Sequence, residues 1–301
     1  MTRIGFIGVG TMGLPMAANL VKKGFAVTAY DTNQAAVTAA ATAGATAAAS
    51  AAEAVATADV VITMLPSSPH VESVYTGDGG VLAAARRGTL CVDMSTIDPG
   101  VSRRVAAAAA ERGVRFIDAP VSGGLPRATD GTLAIMVGGA REDFDRALPA
   151  LSAMGANVIH VGPVGSGEVV KLCNNLIAGV AAVAISEAFR IAEGFGVDAK
   201  VVTEVIAKSS GHTWVMEHMH PVPGLSPRAA STSGYAPGFT TDLMCKDLGL
   251  AVDAARALRV PVFAAPAAQQ LYRLASSHGL GRKDFTSVYT LLKPSSEQAP
   301  V

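Results

Sequence analysis

Short hydrophobic runs alternate with amphipathic segments from Met1 to about Gly162. Each run is rich in Val, Ile, Leu or Phe and ends at Gly, Pro, Asp or Ser, a pattern typical of buried strands. The alternation with helical segments predicts parallel strands joined by crossover helices. The predicted strands are Arg3–Ile7, Ala26–Tyr30, Val60–Met64, Thr89–Asp93, Arg115–Asp118, Leu133–Val137 and Asn157–His160.

Two helix starts are marked by capping residues in this half. Ser50, followed three residues later by Glu53, has the form of a capping box. Asp98 followed by Pro99 predicts a cap with proline in the first turn, starting a helix that runs through Glu111.

After Gly165 the alternation stops and the apolar positions follow a helical period to the end of the chain. His212 to Gly238 is rich in Pro, Gly and Ser and predicts a long loop, a kind of segment that is usually functional. The predicted helices are Glu168–Gly194, Ala199–Ser209, Thr241–Leu258, Ala264–Ser277 and Phe285–Leu292.

A glycine-rich loop, Gly8-x-Gly10-x-x-Gly13, follows the first predicted strand and opens a helix. Asp31 ends the next strand, close to the ~20-residue spacing at which a carboxylate binds the ribose hydroxyls of a dinucleotide. Thr11 and Met12 complete the loop. Two alternatives are a tight turn that binds nothing and, for Asp31, a helix cap.

The identity of the dinucleotide follows from the residues around Asp31. A carboxylate repels the 2′-phosphate of NADP, and Thr32 to Gln34 include no Arg or Lys. NAD is therefore predicted. Leu65, Pro66 and Thr96 follow the ends of two strands, where a doubly wound sheet forms its ligand crevice.

These patterns predict an α/β fold in which a Rossmann-type doubly wound sheet is followed by an all-α C-terminal domain. The predicted NAD-binding domain covers residues 1–163 and the helical domain covers residues 164–301. A long helix over residues 166–194 joins them. We expect the helical domain to serve the substrate and oligomerisation.

Composition narrows the possible partners of the 301-residue chain. Lys+Arg and Asp+Glu balance at 24 each, with no long basic run, so nucleic acid is not an expected partner. Three cysteines far apart, with no CxxC spacing, argue against a disulfide framework and a metal site. No apolar run appears uninterrupted over a membrane-spanning length and no leader segment is recognised, so we expect no membrane and a cytoplasmic location.

Two polar groups stand out as candidates for chemistry. Lys171 and Asn175 lie one helical turn apart in a strongly apolar segment, where unpartnered polar groups are costly. A buried neutral amine could exchange a proton with a substrate, although most helix lysines instead extend their amines to solvent. The Ser122-Gly123-Gly124 segment offers a hydroxyl and backbone N–H groups for a carboxylate, or is an ordinary turn.

The chain resembles the β-hydroxyacid dehydrogenases, most closely the 3-hydroxyisobutyrate branch of that family, over nearly its whole length. The motifs that carry the resemblance are Gly5 to Gly13 with Pro15, Met16, Ala17 and Asn19, Asp118 to Gly124, Gly131 to Leu133, Lys171 to Asn175, Ser209 to Gly211, Trp214, Pro221 to Gly224, Gly238-Phe239 and Lys246 to Ala251.

The resemblance implies a role for each matching position. Lys171 would be the catalytic lysine and Asn175 its partner in substrate binding. Ser122, Gly123, Gly124 and Asp247 would bind the substrate. The cofactor-binding residues would be Gly8, Gly10, Thr11, Met12, Gly13, Asp31, Leu65, Pro66, His70, Thr96 and Lys246; His70 replaces an asparagine of the animal enzymes and is alternatively a solvated loop residue.

The activity implied by the resemblance is NAD-dependent oxidation of 3-hydroxyisobutyrate to methylmalonate semialdehyde, a step of valine catabolism. The substrate would be a small carboxylate, and the family habit implies a homodimer or homotetramer. Alternatives are a dehydrogenase for another small 3-hydroxy acid, such as glycerate formed from tartronate semialdehyde, and a dinucleotide-binding sensor without catalysis. A phosphosugar substrate is disfavoured because the Ser-Gly-Gly segment has no accompanying basic cluster.

Overall fold

The computed structural model describes residues 1–293 and divides the chain into two compact units, Met1–Lys171 and the part that begins at Leu172. The first unit is an α/β fold of the Rossmann type and the second is helical. The final residues of the predicted helical domain, 294–301, lie outside the described residues.

Nine strands make the sheet of the first unit. Most predicted strands are present within one or two residues of their expected bounds, whereas the sequence did not predict β3 and β7. The strands are β1 (Arg3–Ile7), β2 (Ala26–Tyr30), β3 (Thr46–Ala47), β4 (Val60–Thr63), β5 (Leu90–Asp93), β6 (Arg115–Asp118), β7 (Val121–Ser122), β8 (Leu133–Gly138) and β9 (Gly155–Gly162).

Helices connect these strands. The helices of the first unit are α1 (Gly13–Lys22), α2 (Gln34–Thr42), α3 (Ala51–Ala56), α4 (Ser68–Thr76), α5 (Val81–Ala84), α6 (Pro99–Glu111), α7 (Gly124–Asp130) and α8 (Arg141–Met154). The long helix α9 (Ser166–Gly194) begins in this unit.

The sheet order is β3-β2-β1-β4-β5-β6-β8-β7, with β9 on β8. Strands β1 to β6 pair in parallel, as predicted. The expectation that all strands are parallel is wrong at β8, which runs antiparallel to β6 and β7 and parallel to β9. A fully buried strand has the same hydrophobic pattern in either direction, so the sequence pattern could not show this reversal.

The core of the first unit lies on both faces of the sheet. Alternate strand residues point to opposite faces, so Ile4 and Phe6 pack in one apolar layer while Ile7 packs in the other. On β4, Ile62 joins the first layer and Val61 the second. Burial on both faces explains why these strands are continuously apolar.

The predicted helix caps are present. Ser50 Oγ accepts the Glu53 N–H at 3.1 Å, and Glu53 Oε2 accepts the Ala49 N–H at 2.7 Å, which closes the box one residue earlier than expected. Asp98 Oδ1 accepts the Gly100 N–H at 2.6 Å at the start of α6.

The second unit contains the rest of α9 and four further helices around one apolar core. The predicted loop from His212 to Gly238 is interrupted by a short α-helix and by a 3-10 helix, Ala230–Ser233, and the last predicted helix is a 3-10 helix, Phe285–Leu291. The α-helices are α10 (Ala199–Ile206), α11 (Trp214–His218), α12 (Thr241–Ala257) and α13 (Ala264–Ala275).

Helix α9 is the longest helix of the described residues, and Gly and polar residues interrupt its apolar sequence, as expected of the apolar runs in this chain. Its 29 residues are long and apolar enough to cross a membrane by length and composition alone, a property shared by core helices of soluble proteins. Its first turns carry the buried polar side chains of Glu168, Lys171 and Asn175.

Candidate active site and nucleotide-binding loop

The glycine-rich loop between β1 and α1 has a backbone that excludes side chains at two positions. Gly8 has φ +91°, and a Cβ there would lie 2.3 Å from the Met64 carbonyl oxygen. A Cβ on Gly13 would lie 1.9 Å from the Gly8 carbonyl oxygen. A Cβ on Gly10, by contrast, would have no described atom within 4 Å. The loop is thus tightly folded and leaves open space on one side.

Helix α1 begins directly after this loop. Met12 precedes its first residue, and no side chain of residues 1–293 caps that end. Thr11 is exposed. Of the first helical residues, Leu14 already donates its N–H to the Gly10 carbonyl oxygen at 2.9 Å, and Pro15 has no N–H. The positive end of the helix dipole faces an anion without a capping side chain from the described residues, and the open space at Gly10 lets a pyrophosphate approach the backbone. These residues fit a dinucleotide.

Asp31 lies at the end of β2 and is partly exposed. Its Oδ1 accepts the Asn33 N–H at 2.8 Å, while Asn33 itself caps α2 by accepting the Ala35 N–H at 3.0 Å. The carboxylate thus supports the turn before α2 through one oxygen, whereas the cap of α2, which was the alternative role for Asp31, is Asn33. Thr32 and Gln34 beside it are exposed and uncharged.

The loops after β4 and β5 are joined by hydrogen bonds. Leu65 donates its N–H to Ser95 Oγ at 2.8 Å, and Ser95 Oγ donates to Asp93 Oδ1 at 2.6 Å. Leu65 and Thr96 are partly buried and Pro66 is exposed. Because β4 pairs in parallel with β1, and β5 pairs in parallel with β4, these loops lie at the same sheet edge as the glycine-rich loop.

His70 is exposed in the first turn of α4. Its Nδ1 lies 2.7 Å from Ser67 Oγ. The alternative that His70 is a loop residue is therefore wrong, because His70 lies in a helix.

The Ser-Gly-Gly segment joins a strand to a helix rather than forming a free turn. Ser122 ends β7 and is partly buried, and Gly124 opens α7. Gly123 has φ +135°, and a Cβ there would lie 2.5 Å from Cδ of Arg127. The stem of Arg127 therefore covers Gly123 and places one basic side chain beside the segment.

Asn19 connects the nucleotide helix to the Ser-Gly-Gly helix. Its Nδ2 donates to the carbonyl oxygens of Ala128 at 2.8 Å and Thr129 at 3.4 Å, near the end of α7. Sequence reasoning placed Asn19 only within a motif and gave it no role. Its partners lie more than 100 residues away, so no local pattern could have identified them.

Asp118, at the end of β6, bonds to the start of α9. Its Oδ1 accepts the Gly165 N–H at 2.6 Å and its Oδ2 accepts the Glu168 N–H at 3.0 Å. Burial raises the pKa of Asp118 to about 6; the backbone donors oppose this rise, and the nearby Asp93 carboxylate adds to it. A buried carboxylate thus caps the helix that carries Lys171.

Lys171 is only 6% exposed. This burial argues against the alternative in which the amine reaches solvent, as most helix lysines do. Glu168, one turn earlier on α9, is fully buried, and its Oε2 accepts the Ile97 N–H at 3.1 Å. Lys171 therefore follows a turn that is bonded to the end of β6 and to the loop after β5.

The remaining candidates form a cluster within the second unit. Asn175 Nδ2 donates to Asp247 Oδ2 at 2.6 Å, and both residues are buried. Lys246 Nζ lies 3.2 Å from Asp247 Oδ1. The structure thus brings together three residues that the resemblance assigned to substrate and cofactor.

Metal-ligand chemistry is not assembled in the described part of the chain. In residues 1–293 no group of three or more His, Cys, Asp or Glu side chains has an arrangement that could hold an ion.

Comparison with known proteins adds independent findings. Residues 3–162 match the family model of the NAD-binding domain of 6-phosphogluconate dehydrogenase, and residues 165–292 match that of the NAD-binding domain of NADP-dependent 3-hydroxyisobutyrate dehydrogenase. The chain is 45% identical to the NAD-dependent L-serine dehydrogenase of Pseudomonas aeruginosa over 99% of its own length and 100% of the relative's.

Two further relatives carry the other substrate name. The mitochondrial 3-hydroxyisobutyrate dehydrogenase of Rattus norvegicus is 41% identical, over 97% of this chain and 87% of the relative. A solved structure of Mycobacterium tuberculosis 3-hydroxyisobutyrate dehydrogenase with L-serine superposes with a TM-score of 0.93 at 43% identity, covering 98% of this chain and 100% of that one.

Proposed function

The chain belongs to the 3-hydroxyisobutyrate dehydrogenase family, whose members are oxidoreductases of hydroxy acids with an NAD-binding domain, and from this premise we propose that it oxidises 3-hydroxyisobutyrate to methylmalonate semialdehyde with NAD. In an organism that degrades valine, this activity would serve that pathway. The coarser activity, oxidation at a CH–OH group, is common to the named relatives of both kinds.

One observation carries the proposal: a buried lysine, Lys171, lies on a helix that is bonded at its start to Asp118 at the sheet edge of the nucleotide loop. A scaffold that only binds a dinucleotide would need no lysine there. Burial of a polar group has a cost, and that cost is explained if the amine exchanges a proton with the substrate.

Each site residue then has a defined task. A neutral amine at Lys171 Nζ accepts the hydroxyl proton of the substrate during oxidation and returns it during reduction. The Ser122 hydroxyl and the N–H groups of Gly123 and Gly124 bind the substrate carboxylate. NAD, when bound, supplies the hydride acceptor. Asn175, one turn beyond Lys171 on α9, orients the substrate or the amine.

We assign cofactor binding to the glycine-rich loop between β1 and α1. The N-terminal end of α1, with the backbone of Gly8, Gly10 and Gly13, receives the pyrophosphate. The Asp31 oxygen that does not bond Asn33 is proposed to accept the ribose hydroxyls, which selects NAD over NADP. The contacts proposed for Leu65, Pro66, His70, Thr96 and Lys246 rest on the resemblance.

L-Serine is the second candidate substrate. The relative from Pseudomonas aeruginosa is named for it, and the Mycobacterium tuberculosis structure includes it. L-Serine and 3-hydroxyisobutyrate are both 3-hydroxypropanoates with one substituent at C2, which is an amino group in serine and a methyl group in 3-hydroxyisobutyrate. Glycerate and a non-catalytic sensor remain the further alternatives.

Initial rates of NADH formation test the proposal. S-3-Hydroxyisobutyrate, its R isomer, L-serine and glycerate are compared at equal concentrations, with NAD and then with NADP. We expect the highest kcat/KM with S-3-hydroxyisobutyrate and NAD. A higher value for L-serine would move the assignment to the second candidate, and NADH binding without turnover of any of them would favour the sensor.

Self-association is also proposed, as a homodimer or homotetramer. Helix α10 buries none of its residues, and Val201 and Val205 on it are more than half exposed. Such apolar side chains favour contact with another surface, for which a second copy is the simplest source. Sedimentation equilibrium measures the mass directly.

A cytoplasmic location is proposed from the three free thiols, which fit a reducing compartment.

A further inference from the structure

We propose that Asp118 and Glu168 are positioning residues that hold the first turn of α9, and with it Lys171, in the geometry required for proton transfer. The inference rests on the proposed role of Lys171. Neither carboxylate is assigned to contact substrate or cofactor. Their backbone partners are the N–H groups of Gly165 and Glu168 at the start of α9 and of Ile97 in the loop after β5.

Asp118 supplies acceptors to two helix-start donors at once. The N–H groups of Gly165 and Glu168 would otherwise be unsatisfied, because the first N–H groups of a helix have no intrahelical acceptor. Both of its carboxylate oxygens are used, at 2.6 and 3.0 Å. An ionised acceptor at a helix N-terminus also interacts favourably with the helix dipole. This geometry fixes both the position and the rotation of the first turn.

Glu168 makes a second attachment in a different direction. It leaves α9 from the turn before Lys171 and accepts the Ile97 N–H, in the loop that follows β5. Asp118 instead bonds from the end of β6. Since β5 and β6 are adjacent parallel strands, the helix is attached to two neighbouring points on one sheet edge. A single attachment would let the helix tilt, whereas two attachments restrain that tilt.

The close approach of the helix to the sheet supports the same interpretation. A Cβ on Gly167 would lie 2.3 Å from the Met136 carbonyl oxygen and 2.8 Å from Asp118 Oδ2. Glycine therefore allows the backbone of α9 to lie against β8 with the carboxylate between them. Lys171 follows within one turn of this contact, so a small change at the anchor changes the position of the amine.

The geometry has a kinetic consequence. Misplacement of a catalytic group by about 1 Å can reduce turnover by roughly 100-fold. Removing either anchor should therefore lower kcat more than it raises KM for NAD, because the glycine-rich loop is formed by other residues. The carboxylate of Asp93 acts on Asp118 through space, and Glu168, in the first turn of α9, donates its N–H to Asp118.

The test uses the 301-residue chain with Asp118→Asn and a matched control, Asp198→Asn. Asp198 also caps a helix, α10, by accepting the Lys200 N–H at 2.7 Å, but it is exposed. We expect Asp118→Asn to lower kcat by 10- to 100-fold with KM for NAD within twofold of wild type, and the control to leave both unchanged. An unchanged kcat in a folded Asp118→Asn variant would overturn the proposal.

A second pair of variants covers the case in which Asp118→Asn does not fold. Glu168→Ala removes the acceptor for Ile97, whereas Glu168→Gln keeps a side-chain oxygen in the same place. We expect kcat to fall in the alanine variant and to recover at least fivefold in the glutamine variant. Equal kcat values in the two variants would show that the hydrogen bond does not position the site.

Two readouts separate this proposal from that for Lys171. Adding Asp118→Asn to Lys171→Ala should lower the residual rate by less than twofold, because the anchor acts through the lysine. Fully multiplicative effects would contradict positioning. Hydrogen exchange of residues 165–171 should rise in Asp118→Asn even if Lys171→Ala proves active, an outcome that would reject the role of the lysine and retain the anchor.

Discussion

Asn175 donates a 2.6 Å hydrogen bond to Asp247, and both side chains are buried. Replacing Asn175 with alanine leaves Asp247 Oδ2 without this donor, at a cost of about 1–3 kcal/mol for a buried polar group. We expect a corresponding loss in the free energy of unfolding, measured by urea titration. The double variant with Asp247→Ala should be less destabilised than the sum of the single variants, and exact additivity would argue against the pairing.

Lys171→Ala should lower kcat by several orders of magnitude with the fold unchanged, because the proton acceptor is lost. Circular dichroism and NADH binding report the fold. Lys200→Ala is the matched control, since Lys200 is an exposed helix lysine. A Lys171→Ala enzyme that keeps more than a tenth of the wild-type kcat would reject the role.

Asp31→Ala should raise KM for NAD and narrow the preference against NADP, because the ribose acceptor and the charge that repels a 2′-phosphate are both removed. Asn33→Ala is the control: it removes the cap of α2, at about 1 kcal/mol of stability, and leaves the carboxylate in place. Cofactor kinetics that change equally in the two variants would indicate a structural effect of the turn alone.

Gly167→Ala should destabilise the protein and reduce kcat, since its Cβ would overlap the Met136 carbonyl and approach Asp118. Overpacking of this kind costs about 1–3 kcal/mol. Gly194→Ala, at the other end of α9, meets no described atom within 4 Å and should be neutral or slightly stabilising. Thermal unfolding compares them, and equal Tm values would contradict the close approach.

The burial of His220 predicts that the free energy of unfolding decreases on acidification. Burial lowers its pKa to about 4, and the N–H of Val222 donates to its Nδ1 at 3.1 Å. Because the folded pKa is below the unfolded value of about 6.5, the unfolded chain binds the proton first and stability falls as pH drops from about 6.5 towards 4.

Between pH 7 and 5 this effect should remove about 2 kcal/mol from the free energy of unfolding. Urea titrations of wild type and His220→Gln at both pH values measure it. The variant should lose less stability over this interval than wild type, and identical losses would exclude His220 as the cause.

The sequence predicted the buried strands well because each is a short apolar run bounded by turn residues. It did not predict β3, whose residues Thr46 and Ala47 are both exposed and form no apolar run. The sequence also did not predict that β8 is antiparallel to β6 and β7. Strand direction depends on the connection through β7 and α7 rather than on which residues are buried.

The candidate site shows the same division between local and distant information. The positions of Gly8 and Gly13 in the loop follow from spacing along the chain, whereas the role of Lys171 was assigned from the family resemblance. The role of Asp118 follows from neither, because its partners lie 47 and 50 residues away and are backbone groups with no side-chain signature. A strand-terminal acidic residue inside an otherwise apolar stretch was the available signal, and only the folded chain shows what it binds.

The boundary between the two compact units falls inside a continuous helix, between Lys171 and Leu172. The chain therefore has no linker at this point, and the halves are not interchangeable modules. A recombinant chimera joined before α9 would take the lysine from one parent and Asp118 from the other. Successful exchange of nucleotide-binding halves among relatives would thus require the junction to lie beyond the lysine, or the parents to share the anchoring carboxylate.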